Sequence, residues 1–463
     1  MTNSPPSTSR TRVRPQAGAR LDRLPVTRWL TSIMALLFLS WLIESYDVGL
    51  TGSVLPSLTH QFALSTAMKS FVAISANIGI VPAGRIADRF GRRRTLIIGT
   101  IAYAVLTFAT GLAPNVTSLI VLRIVDGMAM GAVFPLPYVI ASEFCPPQRR
   151  GRYIAWSDAF LSAGYFLSPL LALVLIPNVQ DTTGWRVMFM IGGLPIIFAV
   201  LAWRYLPESP RWYESTGQWD EAEQVLAQLE ARAVRATGTP LTPVAPPTPE
   251  TATPPVVTAH PLRAIFVRPL RRRSMTLWAT FGGTFFIFYS IQIFMPTAVT
   301  TMGYNLTSAF AFTAVIVGVS IPGKLLESWV IERWGRKPVI ISFTVIAAAA
   351  SFAFGFVRGA VPVLLVGCLM SFFGIAVDPA VKVYTSESYP TEIRAWGVAT
   401  TEGFGRLISG VIGPSMIPTL FSHFGVAGVY SLVGTIALIA VVVVALYGRE
   451  TKGLPLEQSA TAQ

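Results

Sequence analysis

The chain has 463 residues, of which 52% are hydrophobic and only 13% charged, with a mean hydropathy of +0.56. Soluble chains carry about 25% charged residues, so this one lacks the polar coat that closes a surface in water, and a soluble globular protein is excluded. Its formal net charge of +13 would suggest nucleic acid in a soluble protein, but membrane proteins collect basic residues in their cytoplasmic loops.

In chain order, a basic tail (1–28) precedes the first of twelve stretches that are long and apolar enough to span a bilayer, which takes about 20 residues. Six of them, at 29–53, 66–87, 95–113, 117–142, 153–176 and 185–206, make an amino-terminal unit, 29–206. A polar segment, 207–273, follows. It contains a surface helix expected around Gln218–Val234, a Pro/Thr-rich run at 237–261 with too little apolar surface to fold, and a basic patch. Six more spans, at 274–299, 306–331, 338–357, 361–386, 397–421 and 425–447, fill 274–447, and 448–463 is a tail. The first span holds Glu44 and Asp47 and lacks an Ala-x-Ala exit, so it is no cleavable signal.

Arginines crowd alternate junctions. They precede the first span (Arg10 to Arg28), follow the second (Arg89, Arg92, Arg93, Arg94) and fourth (Arg149, Arg150, Arg152), precede the seventh (Arg268 to Arg273) and, with Lys337, follow the eighth. The intervening loops offer little beyond Lys69, Arg186 and Arg358. This asymmetry predicts that both termini are cytoplasmic, in a bacterial inner membrane.

The two sets of six spans are copies of one another. Gly84-Arg-Ile-Ala-Asp88-Arg89-Phe-Gly91-Arg92-Arg93 after the second span is matched by Ser328-Trp-Val-Ile-Glu332-Arg333-Trp-Gly335-Arg336-Lys337 after the eighth, at an offset of 244. Glu143 and Glu387 share that offset, as do Asp158 and Glu402. A constant offset marks a duplicated six-helix unit.

The Gly84–Arg93 segment and its copy resemble the signature of the major facilitator superfamily. Pro207-Glu208-Ser209-Pro210-Arg211 and Arg449-Glu450-Thr451-Lys452-Gly453 resemble elements of its sugar-porter branch. The Gln-Gln-x-x-Gly-Ile-Asn run of sugar porters is missing from the seventh span. Glu44-Ser45-Tyr46-Asp47 through Gly52 to Pro56 resembles the first-span motif of aromatic-acid/proton symporters, with Glu44 and Ser45 departing from it. Tyr389–Arg394 and Phe404-Gly405-Arg406 resemble metabolite/proton symporters that include niacin permeases. The resemblance implies an all-α membrane protein of twelve transmembrane helices in two pseudo-symmetric six-helix bundles, with the site between the bundles. It also implies proton-coupled uptake of a small organic acid, aromatic or niacin-like, by a monomeric unit. Sugar or polyol symport, drug efflux and a non-transporting sensor are the alternatives.

Intramembrane charges carry the functional expectations, because each costs about 2.5–3.5 kcal/mol to insert. Asp47 and Arg123 lie at similar depth from one side, about 10 Å, and can meet. An arginine stabilises the carboxylate beside it and ceases to when it moves away, so a conformational change can load and release a proton. The resemblance assigns this pair to proton coupling; a static neutralising pair is the alternative. Asp126, three residues from Arg123, either takes over the arginine or is its permanent partner. Glu44 is a second protonatable candidate or a hydrated carboxylate.

Gates are expected at Asp88 with Arg92 and at Glu332 with Arg336. Glu143 with Arg394 and Glu387 with Arg150 are expected to bridge the halves, and Asp158 and Glu402 to extend this charge layer. The candidate substrate contacts are Arg406, whose guanidinium suits a carboxylate unless Glu402 satisfies it, and Lys382, unless Asp378 does. Tyr289, Gln292 and Tyr46 complete the set, against a plain packing role. Two cysteines and three scattered histidines leave no disulfide framework or metal site. No nucleophile–base set emerges, so neither an enzyme nor a cofactor is expected.

Overall fold

The computed structural model describes residues 15–80, 90–244, 265–266, 270–389 and 394–452. Ten helices among the described residues are long and apolar enough to cross a membrane. The twelve spans of the sequence reduce to ten for two reasons. The second is described only over Thr66–Ile80, and the eleventh and twelfth run on as Trp396–Tyr447. Gly425, with φ 61° and ψ −163°, breaks that run between the two stretches that the sequence separates.

Several spans are broken within their length. The fourth divides at Phe134–Pro135 into Val116–Val133 and Leu136–Phe144, the eighth at Val319 into Leu306–Gly318 and Ser320–Trp334, and the tenth into Ala360–Gly374 and Asp378–Ser388. The eleventh carries a π-helical turn at Leu407–Ile412. In lipid, freed backbone groups at such breaks are tolerated where neighbouring helices cover them. The first span is longer than its apolar run: Arg28–Phe62 continues through Pro56 and the polar turns beyond it. Asp47 consequently lies near the middle of this helix rather than close to its end.

The first and seventh spans are the most enclosed, while the outer spans turn apolar side chains outward, Ile98, Ile197, Leu365 and Leu446 each being more than half exposed. Such faces suit hydrocarbon and not water. Within the amino-terminal half the first span packs on the fifth and the second on the fourth. Across the halves the fifth packs on the eighth, the second on the π turn of the eleventh, and the first on the seventh. The last contact depends on Gly52, where a Cβ would run into the Gln292 carbonyl.

The face that carries the amino-terminal tail, here the tail face, also holds the linker helix, Trp219–Thr237. That helix buries Leu226 and Leu229 against a cluster containing Leu30 and Phe144. Arg20 (2.8 Å) and Arg23 (2.5 Å) of the tail both pair with Glu230, and Arg211 pairs with Asp22 at 2.7 Å. Burial works to raise the Glu230 carboxyl, but the two guanidinium hydrogen bonds outweigh it and hold it below the usual glutamate range.

Candidate functional site

Inside the amino-terminal half, the first span supplies Asp47 and the fourth Arg123 and Asp126, with Thr107 of the third beside them. Arg123 Nη1 donates to Asp47 Oδ1 at 2.9 Å and to Asp126 Oδ2 at 2.7 Å. Its Nη2 donates to Thr51 Oγ1 at 3.2 Å, and Thr107 Oγ1 donates to Asp126 at 3.1 Å. All three charged groups are buried, and Phe189 lies under the guanidinium at 5.5 Å. Two carboxylates thus share one guanidinium, and Asp47 Oδ2 has no hydrogen-bond partner among the described residues. The site carries one more negative charge than positive, which a proton would cancel.

Glu44 lies one turn toward the tail face. It is buried, accepts from Ser40 at 2.6 Å through Oε1, and leaves Oε2 without a partner among the described residues. Tyr46 turns away from the boundary between the halves. Its hydroxyl donates to the Met188 carbonyl of the sixth span at 2.9 Å, within the amino-terminal half.

At the boundary, the seventh span supplies Tyr289 and Gln292, both buried. Tyr289 donates to Asn77 Oδ1 of the second span at 3.2 Å, and Gln292 reaches the Tyr165 carbonyl of the fifth at 3.5 Å. Tyr165 meets Phe288 edge-on at 5.0 Å. Arg406 stacks on Phe134 of the opposite half at 4.5 Å. Its guanidinium lies against the Tyr289 hydroxyl, and among the described residues it forms no ion pair, with Glu402 or any other carboxylate.

Lys382 is engaged, and by more than the sequence indicates. It pairs with Asp378 at 3.0 Å and with Asp158 of the other half at 3.8 Å. Lys324 of the eighth span, absent from the sequence candidates, pairs with Asp158 at 3.7 Å and Asp378 at 3.6 Å. Glu327, one turn along the same helix, is also buried there. Neither stands out in the sequence, because Gly323–Ser328 only leads into a motif that reads as a gate; the packing of spans five and ten against eight reveals them.

On the tail face, two carboxylates occupy equivalent places in the two halves. Glu208 Oε1 accepts the backbone N–H groups of Arg92 and Arg93, both at 2.9 Å, at the start of the third span. Glu450 accepts those of Arg336 and Lys337, both at 3.0 Å, at the start of the ninth. Gly91 (φ 99°) and Gly335 (φ 100°) make room, since a Cβ would lie 2.6 and 2.7 Å from these carboxylates. Glu143 lies 3.6 Å from Arg92, and Glu387 lies 3.0 Å from Arg336, which also reaches the exposed Glu332 at 3.6 Å. The described pairs of Glu143 and Glu387 are therefore within each half. Asp88 and the side chains of Arg150 and Arg394 fall outside the described residues, and with them the expected bridges between halves. At the opposite face a cavity of 590 Å³ is lined by ends of the first, second, seventh and eleventh spans, including His60, Lys69, Thr297 and Ser422.

Comparison with known proteins agrees with this architecture. The profile described as Major Facilitator Superfamily matches residues 37–401 and, in a second alignment, 318–463. The chain is 28% identical over 446 residues to the niacin transporter NiaP of Acinetobacter baylyi, covering 95% of this chain and 98% of that one. It is 28% identical over 421 residues to a gallate transporter of Pseudomonas putida, covering 88% and 91%. A partially occluded, inward-open structure of the xylose transporter XylE from E. coli superposes with a TM-score of 0.74 at 20% identity, covering 92% of this chain and 99% of that one. With the all-helical fold and the doubled tail-face motifs, the match shows that the chain belongs to the major facilitator superfamily and is a membrane transporter.

Proposed function

We propose that this transporter takes up a small organic acid together with protons, by alternating access. The observation that carries the reading is the sharing of Arg123 between Asp47 and Asp126: a buried site with one excess negative charge stores a proton on the carboxyl that Arg123 does not hold, and releases it when the arginine moves onto that carboxyl. Arg406, at the boundary between the halves without a carboxylate partner among the described residues, suits the anionic end of the substrate. The names of the relatives, a niacin and a gallate transporter, favour an aromatic carboxylate. The arginine-rich tail face is the cytoplasmic one by the positive-inside rule, so a substrate arriving from outside meets the cavity of the opposite face first.

Proteoliposomes with an imposed pH gradient test this with labelled nicotinate, gallate and a sugar. Accumulation of an acid that collapses with the gradient is expected. Asp47→Asn is expected to abolish accumulation while leaving counterflow exchange. Continued accumulation by that variant, or gradient-driven uptake of the sugar alone, would overturn the proposal.

A further inference from the structure

The ion cluster on the boundary between the halves is built differently from the Arg123 site, and nothing in the proposed cycle so far uses it. Asp158 comes from the fifth span, Lys324 and Glu327 from the eighth, and Asp378 and Lys382 from the tenth. Four contacts of 3.0–3.8 Å tie the two aspartates to the two lysines, and the two made by Asp158 cross from one half to the other. Glu327 is 1% exposed, and its Oε1 has no hydrogen-bond partner among the described residues.

The charges that act on Glu327 are those of Asp158, Lys324, Asp378 and, from the ninth span, Arg336. Arg336 is committed to Glu387 at 3.0 Å. Glu402 and Arg406 of the eleventh span, which act on Lys382 and Asp378 respectively, bring one negative and one positive charge and so add no net charge to the cluster. The first half of the tenth span brings no charged residue. What remains is three buried carboxylates facing two ammonium groups. An uncompensated buried charge is strongly unfavourable, and a single proton removes it.

We propose that Glu327 is a second proton-binding residue, whose proton is released when Asp158 parts from Lys324 and Lys382. With the halves together, Asp158 and Asp378 occupy both lysines and Glu327 holds the proton as a neutral acid. When the halves separate at this level, Asp158 leaves with its own half and enters water. Two lysines then face Asp378 and Glu327, and Lys324, at i−3 on the same helix, stands in reach of the ionised Glu327. The proton leaves on the side that has opened. This rests on the proton-coupled reading above, adding a second proton whose release is tied to movement between the halves.

The test needs no transported substrate. Infrared spectra of the full chain in lipid bilayers, perfused from about pH 5 to about pH 9, report protonated carboxyl groups through their C=O stretch. Glu327→Gln is expected to remove one carboxylic-acid band that Asp47→Asn leaves in place. Asp158→Asn, which removes a competing carboxylate without touching Glu327, is expected to abolish the same band at a pH where the unaltered protein shows it. A Glu327→Gln spectrum identical to that of the unaltered protein overturns the proposal, as does a Glu327 band that survives Asp158→Asn. A band whose loss follows added sodium rather than alkali also overturns it. Should Asp47→Asn alone leave every carboxyl band unchanged, the coupling role of Asp47 fails while Glu327 is judged on its own variants.

Discussion

Glu208 caps the third span by accepting the N–H of Arg92 at 2.9 Å, from a position 116 residues further along the chain. The carboxylate sits where the helix dipole and the orphan N–H groups both favour an anion. Glu450 repeats the arrangement on the ninth span. The segment after each sixth helix therefore belongs to the duplicated unit, and each half ends by fastening onto its own third helix.

Removing that fastening should destabilise each half separately. Charged hydrogen bonds contribute about 1.5–3 kcal/mol each, so Glu208→Ala and Glu450→Ala are each expected to cost about 1–3 kcal/mol, read as a lowered midpoint of thermal unfolding in detergent. Glu208→Gln, which keeps an acceptor oxygen, should lose less. Gly91→Ala should cost at least as much as Glu208→Ala, because its φ of 99° and the carboxylate 2.6 Å from an added Cβ both oppose a side chain. Equal midpoints for all four variants would show the seats to be incidental.

At the triad, the relevant quantity is the imbalance of charge. Arg123→Gln strands two carboxylates in the interior, and breaking a buried pair in this way costs about 3–5 kcal/mol. Asp126→Asn instead leaves Arg123 and Asp47 as a balanced pair and should be far better tolerated. The double variant Arg123→Gln/Asp126→Asn should recover part of the loss, a coupling that a double-mutant cycle on thermal stability measures. Strict additivity would mean that the two groups do not share one site.

The tail–linker clasp gives a pH dependence whose sign is fixed. Glu230 is held below the usual glutamate range in the docked state. Its contribution is therefore complete above the free-glutamate value of about 4.3 and is lost as the pH falls through the lowered, docked value. Spin labels at Ala19 and Ala227, in a background lacking Cys145 and Cys368, should report a short distance at neutral pH and a broad, longer one on acidification. Glu230→Gln should show the broad distribution already at neutral pH, whereas a short distance that persists in it would assign docking to Leu226 and Leu229 alone.

Much of this arrangement is legible in the sequence because a few signals are physically compulsory. Charges cannot enter a span without a partner, so Asp47 and Arg123 point to one another, and a constant offset of 244 shows the duplication without any structure. Depth is less legible. The apolar run stops near residue 53, but the helix continues to Phe62, since a polar turn at the edge of a cavity is as helical as an apolar one. Pairing at the tail face is legible where it is local, as between Glu332 and Arg336 at 3.6 Å, and not where it joins different helices. Glu143 has both Arg92 and Arg394 within plausible reach in a linear reading, and only the packing of the third span on the fourth brings Arg92 to 3.6 Å. Lys324 and Glu327 are obscured for a similar reason: adjacent to a run of gating charges, they become distinct only once the fifth span packs against the eighth.

Arg406 discriminates between an acid and a neutral substrate. Its guanidinium faces Phe134 across the boundary and forms no ion pair among the described residues, so a substrate carboxylate would be its first anionic partner. Arg406→Lys keeps the charge but loses the planar fork and its stacking on Phe134. A charged hydrogen bond of about 1.5–3 kcal/mol corresponds to roughly tenfold or more in affinity. Competition against uptake of the transported acid is thus expected to weaken at least about tenfold in the variant, with the maximal rate less affected. The corresponding neutral amide should compete weakly with the unaltered protein and lose little more in the variant. Should acid and amide compete equally, and Arg406→Lys weaken both alike, Arg406 would act by holding the two halves together at Phe134, and recognition of the acid would have to come from elsewhere in the boundary.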